Sequence, residues 1–228
     1  MYGHSCWLGL PGCTGLASEY DHIIPYASHG KTTVANLRPA CKHCNSSRSN
    51  RVLSGYGASI HCIIGPPCSG KSTYVRQHQQ PGDIVLDWDA LALAMDSGFA
   101  KADYSPALAS AVTAAWQGAY YRLVRLVNPV SIWIIKSVPF TKAHPSMLSE
   151  WVQLGYDIHV CEGESPAVVM TRLATRNEGA KRTAQRWWSL RLTQSIIDAR
   201  IAERRKQLAR FDLAQESCKV LDRSGWLD

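Results

Sequence analysis

Four cysteines form two pairs early in the chain, Cys6-x6-Cys13 and Cys41-x2-Cys44, and Asn45 follows the last of them directly. Four thiolates suffice for a closed tetrahedral zinc site, and the second pair has zinc-knuckle spacing. The first pair is wider, which leaves His4 as a substitute for one of its members, Cys13 being the less certain. A site closed by four thiolates has no open position for water, so zinc there holds structure and performs no hydrolysis. Hydrolysis of a phosphodiester needs a base for water and a cation for the leaving oxygen. The stretch DHIIP, residues 21–25, offers both. Asp21 is a hard oxygen ligand for Mg²⁺ or Mn²⁺, and His22 is a base titrating near neutrality. Neighbours in a regular strand point to opposite faces, so the two can share a site only at a strand end or bend. Pro25 makes such an irregularity credible.

A second constellation begins at residue 60. IHCII (60–64) reads as a strand, Gly65-x4-Gly70-Lys71-Ser72 follows, and a helical pattern comes next. This is a P-loop in its expected context. Gly65 and Gly70 permit a tight loop whose backbone N–H groups point at phosphates, with Ser69 and Thr73 completing the cradle. Lys71 would reach the β- and γ-phosphates of ATP and Ser72 would ligate its Mg²⁺. Cys68 reads as a small tolerated residue. Downstream, DIVLDWDALALAM carries Asp87 and Asp89 at the end of a strand. Ligands of parallel sheets bind beyond the carboxyl ends of strands, so Asp89 can take a proton from an acceptor hydroxyl. It also suits a helix N-cap. Asp87 reads as a helper or outer-shell contact. Arg172 and Arg176, then a glycine-containing loop with Lys181 and Arg182, suit a mobile lid over about 172–184. Trp187 and Trp188 are expected to pack the following helix rather than stack on bases.

The elements that must position these groups fall into two segments. Residues 1–53 are rich in Cys, His, Pro and Gly, too few to build a sufficient core without a structural metal. SGYGAS, residues 54–59, reads as a linker. Residues 60–228 alternate strand-like runs (60–64, 83–87, 130–135 and 156–160) with helical patterns after Lys71, Asp89, Pro106, Pro145, Pro166 and Ala184. That order predicts an α/β domain with a largely parallel sheet and a basic C-terminal helix.

Composition narrows the setting. The chain has 228 residues, 46% of them hydrophobic, and a formal charge of +7. No apolar run approaches the roughly 18 residues that span a membrane, and no signal-peptide pattern opens the sequence. Eight cysteines without such a signal point to metal ligation and reduced thiols, hence a cytoplasmic location in a bacterial or phage-infected cell. Eleven Lys and Arg against three acids lie between Arg172 and Arg210. A basic helix of this kind suits a polyanionic partner.

DHIIP followed by NLRPACKHCNSSR resembles the HNH endonuclease family in its zinc-knuckle form, over about residues 4–51. The resemblance implies a ββα-metal fold with His22 as general base. Asp21 and Asn45 would hold the catalytic divalent ion, and Asn36 would brace the loop near the histidine. The Cys6-x6-Cys13 spacing departs from the Cys-x-x-Cys of many relatives. Residues 60–190 resemble the P-loop kinases related to bacteriophage polynucleotide 5′-hydroxyl kinase. That resemblance implies ATP-dependent phosphorylation of a 5′-hydroxyl, with Asp89 activating it. RNEGAKR is similar to the lid's arginine pair, so Arg176 and Arg182 inherit the phosphate clamp. Such kinases carry an arginine three residues after the catalytic Asp, where this chain has Ala92.

The combined expectation is an end-processing or repair enzyme, HNH nuclease and 5′-end kinase in one chain, acting on DNA or RNA. Two alternatives stand beside it: a nuclease gated by nucleotide binding, and a nucleoside or small-molecule kinase fused to the HNH module.

Overall fold

The computed structural model describes residues 4–96, 104–142, 144–163, 165–176 and 178–211. Strands β1 (Glu19–His22) and β2 (Leu37–Ala40) pair antiparallel, Glu19 opposite Ala40 and His22 opposite Leu37. Helix α1 (Lys42–Arg48) follows at once. Its N-cap is Cys41, whose Sγ accepts the Cys44 N–H at 3.4 Å, so one thiol both starts the helix and joins the cysteine cluster.

The larger part is a four-stranded parallel sheet ordered β4-β5-β3-β6. Its strands are β3 (Ser59–Ile64), β4 (Ile84–Asp87), β5 (Ser131–Lys136) and β6 (Asp157–Val160), close to the four runs expected from the sequence. Strand alternation divides the apolar residues between two layers. Ile60, Cys62, Ile64, Ile132 and Ile134 enter the main core, while Ile63, Trp133 and Ile135 pack with Val75 on the other face. Val75 belongs to α2 (Lys71–His78). The helices α3 (Trp88–Met95) and α4 (Pro106–Leu123) come next, α4 having Ser105 as N-cap and Pro106 in its first turn. Helix α5 (Met147–Gln153) precedes β6.

The lid region differs from the sequence expectation. Lys181 and Arg182 lie inside a helix, not a loop. After α6 (Pro166–Leu173), helix α7 runs Glu178–Ser189. Glu178 and Lys181 bridge its first turn at 2.8 Å, and Ala184 packs on Val169 and Leu173 of α6. The apolar stripe and the terminal ion pair outweigh Gly179. Helix α8 (Gln194–Ala209) then restarts with Thr193 as N-cap. Trp187 is buried in the main core and Trp188 packs against it, as expected.

The two segments share one core. Trp7, Leu8 and Leu10 bury with Trp151 of α5 and Ile197 of α8 in a single apolar cluster. Arg204 of the basic helix is buried and donates to Trp7 O at 2.8 Å and Gln153 O at 3.0 Å. This cation therefore ties segments together and is spent on backbone carbonyls, not phosphate. Stretch 54–59 is packed too: Tyr56 and Ala58 are buried, and Ala58 N–H donates to Leu126 O.

Candidate functional site

The Sγ atoms of Cys6, Cys13, Cys41 and Cys44 lie within 4.8 Å of one another, and His4 is outside the group. Cys13 Sγ is 3.9 Å from Cys41 Sγ, the separation that four sulfurs about 2.3 Å from a common centre adopt. The Gly15 N–H donates to Cys13 Sγ at 3.3 Å. Burial raises the Cys41 thiol, but N–H donors from Cys44 and Thr14 outweigh it and bring the pKa down to about 6. Four converging soft donors with N–H support fit a structural Zn²⁺.

One strand-width away, Glu19 and Asp21 share the β1 face toward α1, whereas Tyr20 and His22 face outward. Asn45 Nδ2 donates to Glu19 Oε2 at 2.8 Å. Asp21 is buried, and its Oδ2 accepts from Arg48 Nη1 at 2.5 Å. Burial raises the Asp21 carboxyl and the Arg48 guanidinium opposes that rise. The expected ion ligands therefore lie on facing surfaces of β1 and α1, each already engaged by a neighbour. Glu19 escaped the sequence reading; its signal was the i, i+2 spacing from Asp21, which places both carboxylates on one strand face. These are oxygen donors of the type a hard divalent cation takes, but Asp21 is held by Arg48, Asn45 by Glu19, and His22 lies on the opposite face of β1.

Arg48 holds the corner. Fully buried, it also donates at 2.5 Å to His22 O and Ile23 O, and at 2.9 Å to Arg51 O. Removing it orphans a buried carboxylate and three carbonyls. Arg48→Ala is expected to cost about 3–5 kcal/mol, read by urea denaturation. A loss under about 1 kcal/mol would show that the pair does not form in solution.

His22 ends β1, just where the chain bends. Its Nε2 lies 2.9 Å from Thr32 Oγ1, and Tyr26 stands 6.0 Å away, ring to ring. Asn36 spans the intervening loop: Oδ1 accepts from Ile24 N–H, and Nδ2 donates to Ile24 O and Lys31 O. Gly30 is required there, because a Cβ would meet Ile24 O at 1.9 Å. An open groove of about 460 Å³ is lined by Tyr26, His29 and Thr32, and His22 touches it through Thr32 and Tyr26 without lining it.

The glycine-rich loop closes between β3 and α2. A Cβ on Gly65 would lie 2.0 Å from Cys161 O, so only glycine fits. Lys71 Nζ donates to Gly65 O and Pro66 O, and burial lowers its pKa to about 8. Ser69 Oγ is buried without a partner among the described residues, a donor left over in the cradle. Ser72 Oγ donates to Asp87 Oδ2 at 3.1 Å. Asp87, not Asp89, is the N-cap of α3, its Oδ1 accepting the Asp89 N–H at 3.0 Å. That leaves the Asp89 side chain exposed toward a cavity of about 1480 Å³. Lys71, Ser72, Thr73, Arg172 and Arg176 line the same cavity. From α7 the wall takes Gly179, Thr183 and Arg186 but not Arg182, and Arg186 lies over the Phe140 ring at 5.1 Å. The 179/183/186 spacing becomes visible only once this segment is read as a helix. Ala92 is fully buried in α3, so nothing at that position faces an acceptor.

Residues 9–51 match the family model of the HNH endonuclease. The match spans β1, β2, α1 and three of the four cysteines, so the chain carries an HNH endonuclease domain with a four-cysteine cluster. Such a domain implies nuclease activity and DNA binding. No curated protein matches the sequence. No helix among the described residues is long and apolar enough to cross a membrane.

Proposed function

We propose that the chain both cleaves and 5′-phosphorylates nucleic acid, pairing its HNH phosphodiesterase module with an ATP-dependent polynucleotide 5′-hydroxyl kinase for end processing or repair. One observation carries the second activity. A single cavity places the glycine-rich loop, Lys71 and Ser72 together with the Asp89 carboxylate and with Arg172, Arg176 and Arg186. Loop N–H groups and Lys71 bind the triphosphate, and Ser72, oriented by Asp87, meets its Mg²⁺. Asp89 accepts the proton of the incoming hydroxyl while the arginines neutralise the charge on the transferring phosphoryl group.

In the nuclease module, His22 takes a proton from water. Asp21 and Asn45, with Glu19, would hold a divalent ion in place of the contacts they make with Arg48 and each other, and that ion would supply charge for the leaving oxygen when bound.

The test is transfer of labelled γ-phosphate from ATP to a 5′-hydroxyl oligonucleotide. Asp89→Ala is expected to lower transfer about 10²–10⁴-fold without loss of ATP binding. Undiminished transfer would remove Asp89 from the mechanism. A second reading, a nuclease gated by nucleotide, has one observation in its favour: Ser47 of α1 and Arg51 just after it line the same cavity as the loop. Nicking rates that change with ATP would support it.

A further inference from the structure

The cavity has a second wall that phosphoryl transfer from ATP does not use. Lys136 ends β5, beside Ile64 of β3. It shares the parity of Ile132 and Ile134, so it projects on the face covered by α4 and away from α2. There its ammonium lies 4.8 Å above the Trp116 ring of α4. Burial lowers its pKa, and no carboxylate contributes. Just past the C-terminus of α4, the Arg125 guanidinium lies 3.6 Å over Tyr121 and its Nη1 donates to Tyr121 O at 2.7 Å, while its Nε is buried with no hydrogen-bond partner among the described residues. Neither cation has an ion pair among the described residues, whereas Arg51 nearby is matched by Glu150 at 2.5 Å. Trp116 stacks on Tyr120 at 5.2 Å, and Tyr121 is 62% exposed. All of these side chains line the one cavity.

Two cations without acid partners, each set on an aromatic ring, suit a chain of phosphates with stackable bases. A free nucleoside brings no charge to answer them. A duplex keeps its inner bases stacked on one another and offers only the face of its last pair, whereas each base of a single strand can stack.

We infer that the α4 wall, with Lys136 and Arg125 on phosphates and Tyr121 under a base, is the binding track for a single-stranded polynucleotide acceptor. This rests on the kinase reading for its role as acceptor, but not for its binding chemistry. Lys136 lies next to the end of β4, where Asp87 pairs with Ile135, so it meets the acceptor's first phosphate close to Asp89. It thereby does for this chain what no side chain at Ala92 can do.

The experiment measures anisotropy of a 3′-labelled, 5′-hydroxyl single-stranded octanucleotide across a KCl series, without added divalent ion. Lys136→Met and Arg125→Gln are each expected to weaken binding about tenfold. Each is also expected to flatten the log–log salt slope by about 0.7, the signature of one lost phosphate contact on a single strand. Lys136→Arg should restore the slope, which a merely unstable protein would not do. Wild-type affinity and slope in both variants would overturn the track. Phosphate transfer is run in parallel. Binding that depends on Lys136 without transfer to any acceptor keeps the track and ends the kinase reading. Transfer to the octanucleotide with an unchanged KM in Lys136→Met ends the track and keeps the kinase.

Discussion

His22→Ala is expected to abolish metal-dependent nicking, by about 10²–10⁴-fold, while the protein keeps its zinc and its melting temperature. The expectation follows from where the ring sits. His22 ends β1 on the outward face, beside an open groove, and its recorded polar partner is the Thr32 hydroxyl. No buried network depends on it, so truncation removes a base without opening the core. The inward residue tells the contrast: Asp21→Ala would leave Arg48 buried and unpaired, mixing a stability loss into any kinetic one. Nicking of supercoiled plasmid in Mg²⁺, alongside zinc content by mass spectrometry, decides the matter. A mutant that nicks at the wild-type rate excludes His22 as the base.

Loss of zinc is expected to unfold more than the nuclease module. Cys41 and Cys44 belong to the same apolar cluster as Trp151 and Ile197, which sit on α5 and α8. Arg204 of α8 hydrogen-bonds Trp7 O, one residue beyond Cys6. Structural zinc contributes about 10–16 kcal/mol in small domains, comparable to the whole stability of a typical protein. Cys44→Ser, or chelation of the native protein, should therefore lower the melting temperature of the entire chain. It should also reduce the ATP binding proposed for the Gly65–Ser72 loop, which no cysteine ligand touches. Two separate transitions, with the part that holds this loop unmoved, would show that the shared core carries no coupling.

Much of this was legible because it is local. The cysteine pairs, DHIIP and the Gly65–Ser72 loop act through residues a few positions apart, and their spacing specifies turns and cradles directly. The four strands of the parallel sheet were legible for the same reason, as apolar runs between turn signals. Lys181 and Arg182 were expected in a loop because Gly179 signals one locally, whereas packing of Ala184 on α6 decides for helix.

Other features depend on pairs far apart in the chain. Arg48 reaches back 27 residues to Asp21, and Asn45 reaches 26 to Glu19. No local pattern announces either, because which strand face meets which helix face is settled only when β1, β2 and α1 pack. Tertiary structure likewise gave the N-cap to Asp87, which freed Asp89 for the cavity, and brought Arg186 rather than Arg182 to its wall. The sequence by itself determined which groups are present: four cysteines in two pairs, an aspartate beside a histidine, and a glycine-rich loop carrying Lys71 and Ser72. Only the tertiary structure decided that the cradle and its arginines open on one cavity with Lys136 over Trp116 and Arg125 over Tyr121. The physical reason is that burial and charge pairing are properties of surfaces brought together, and sequence spacing carries them only within a single element.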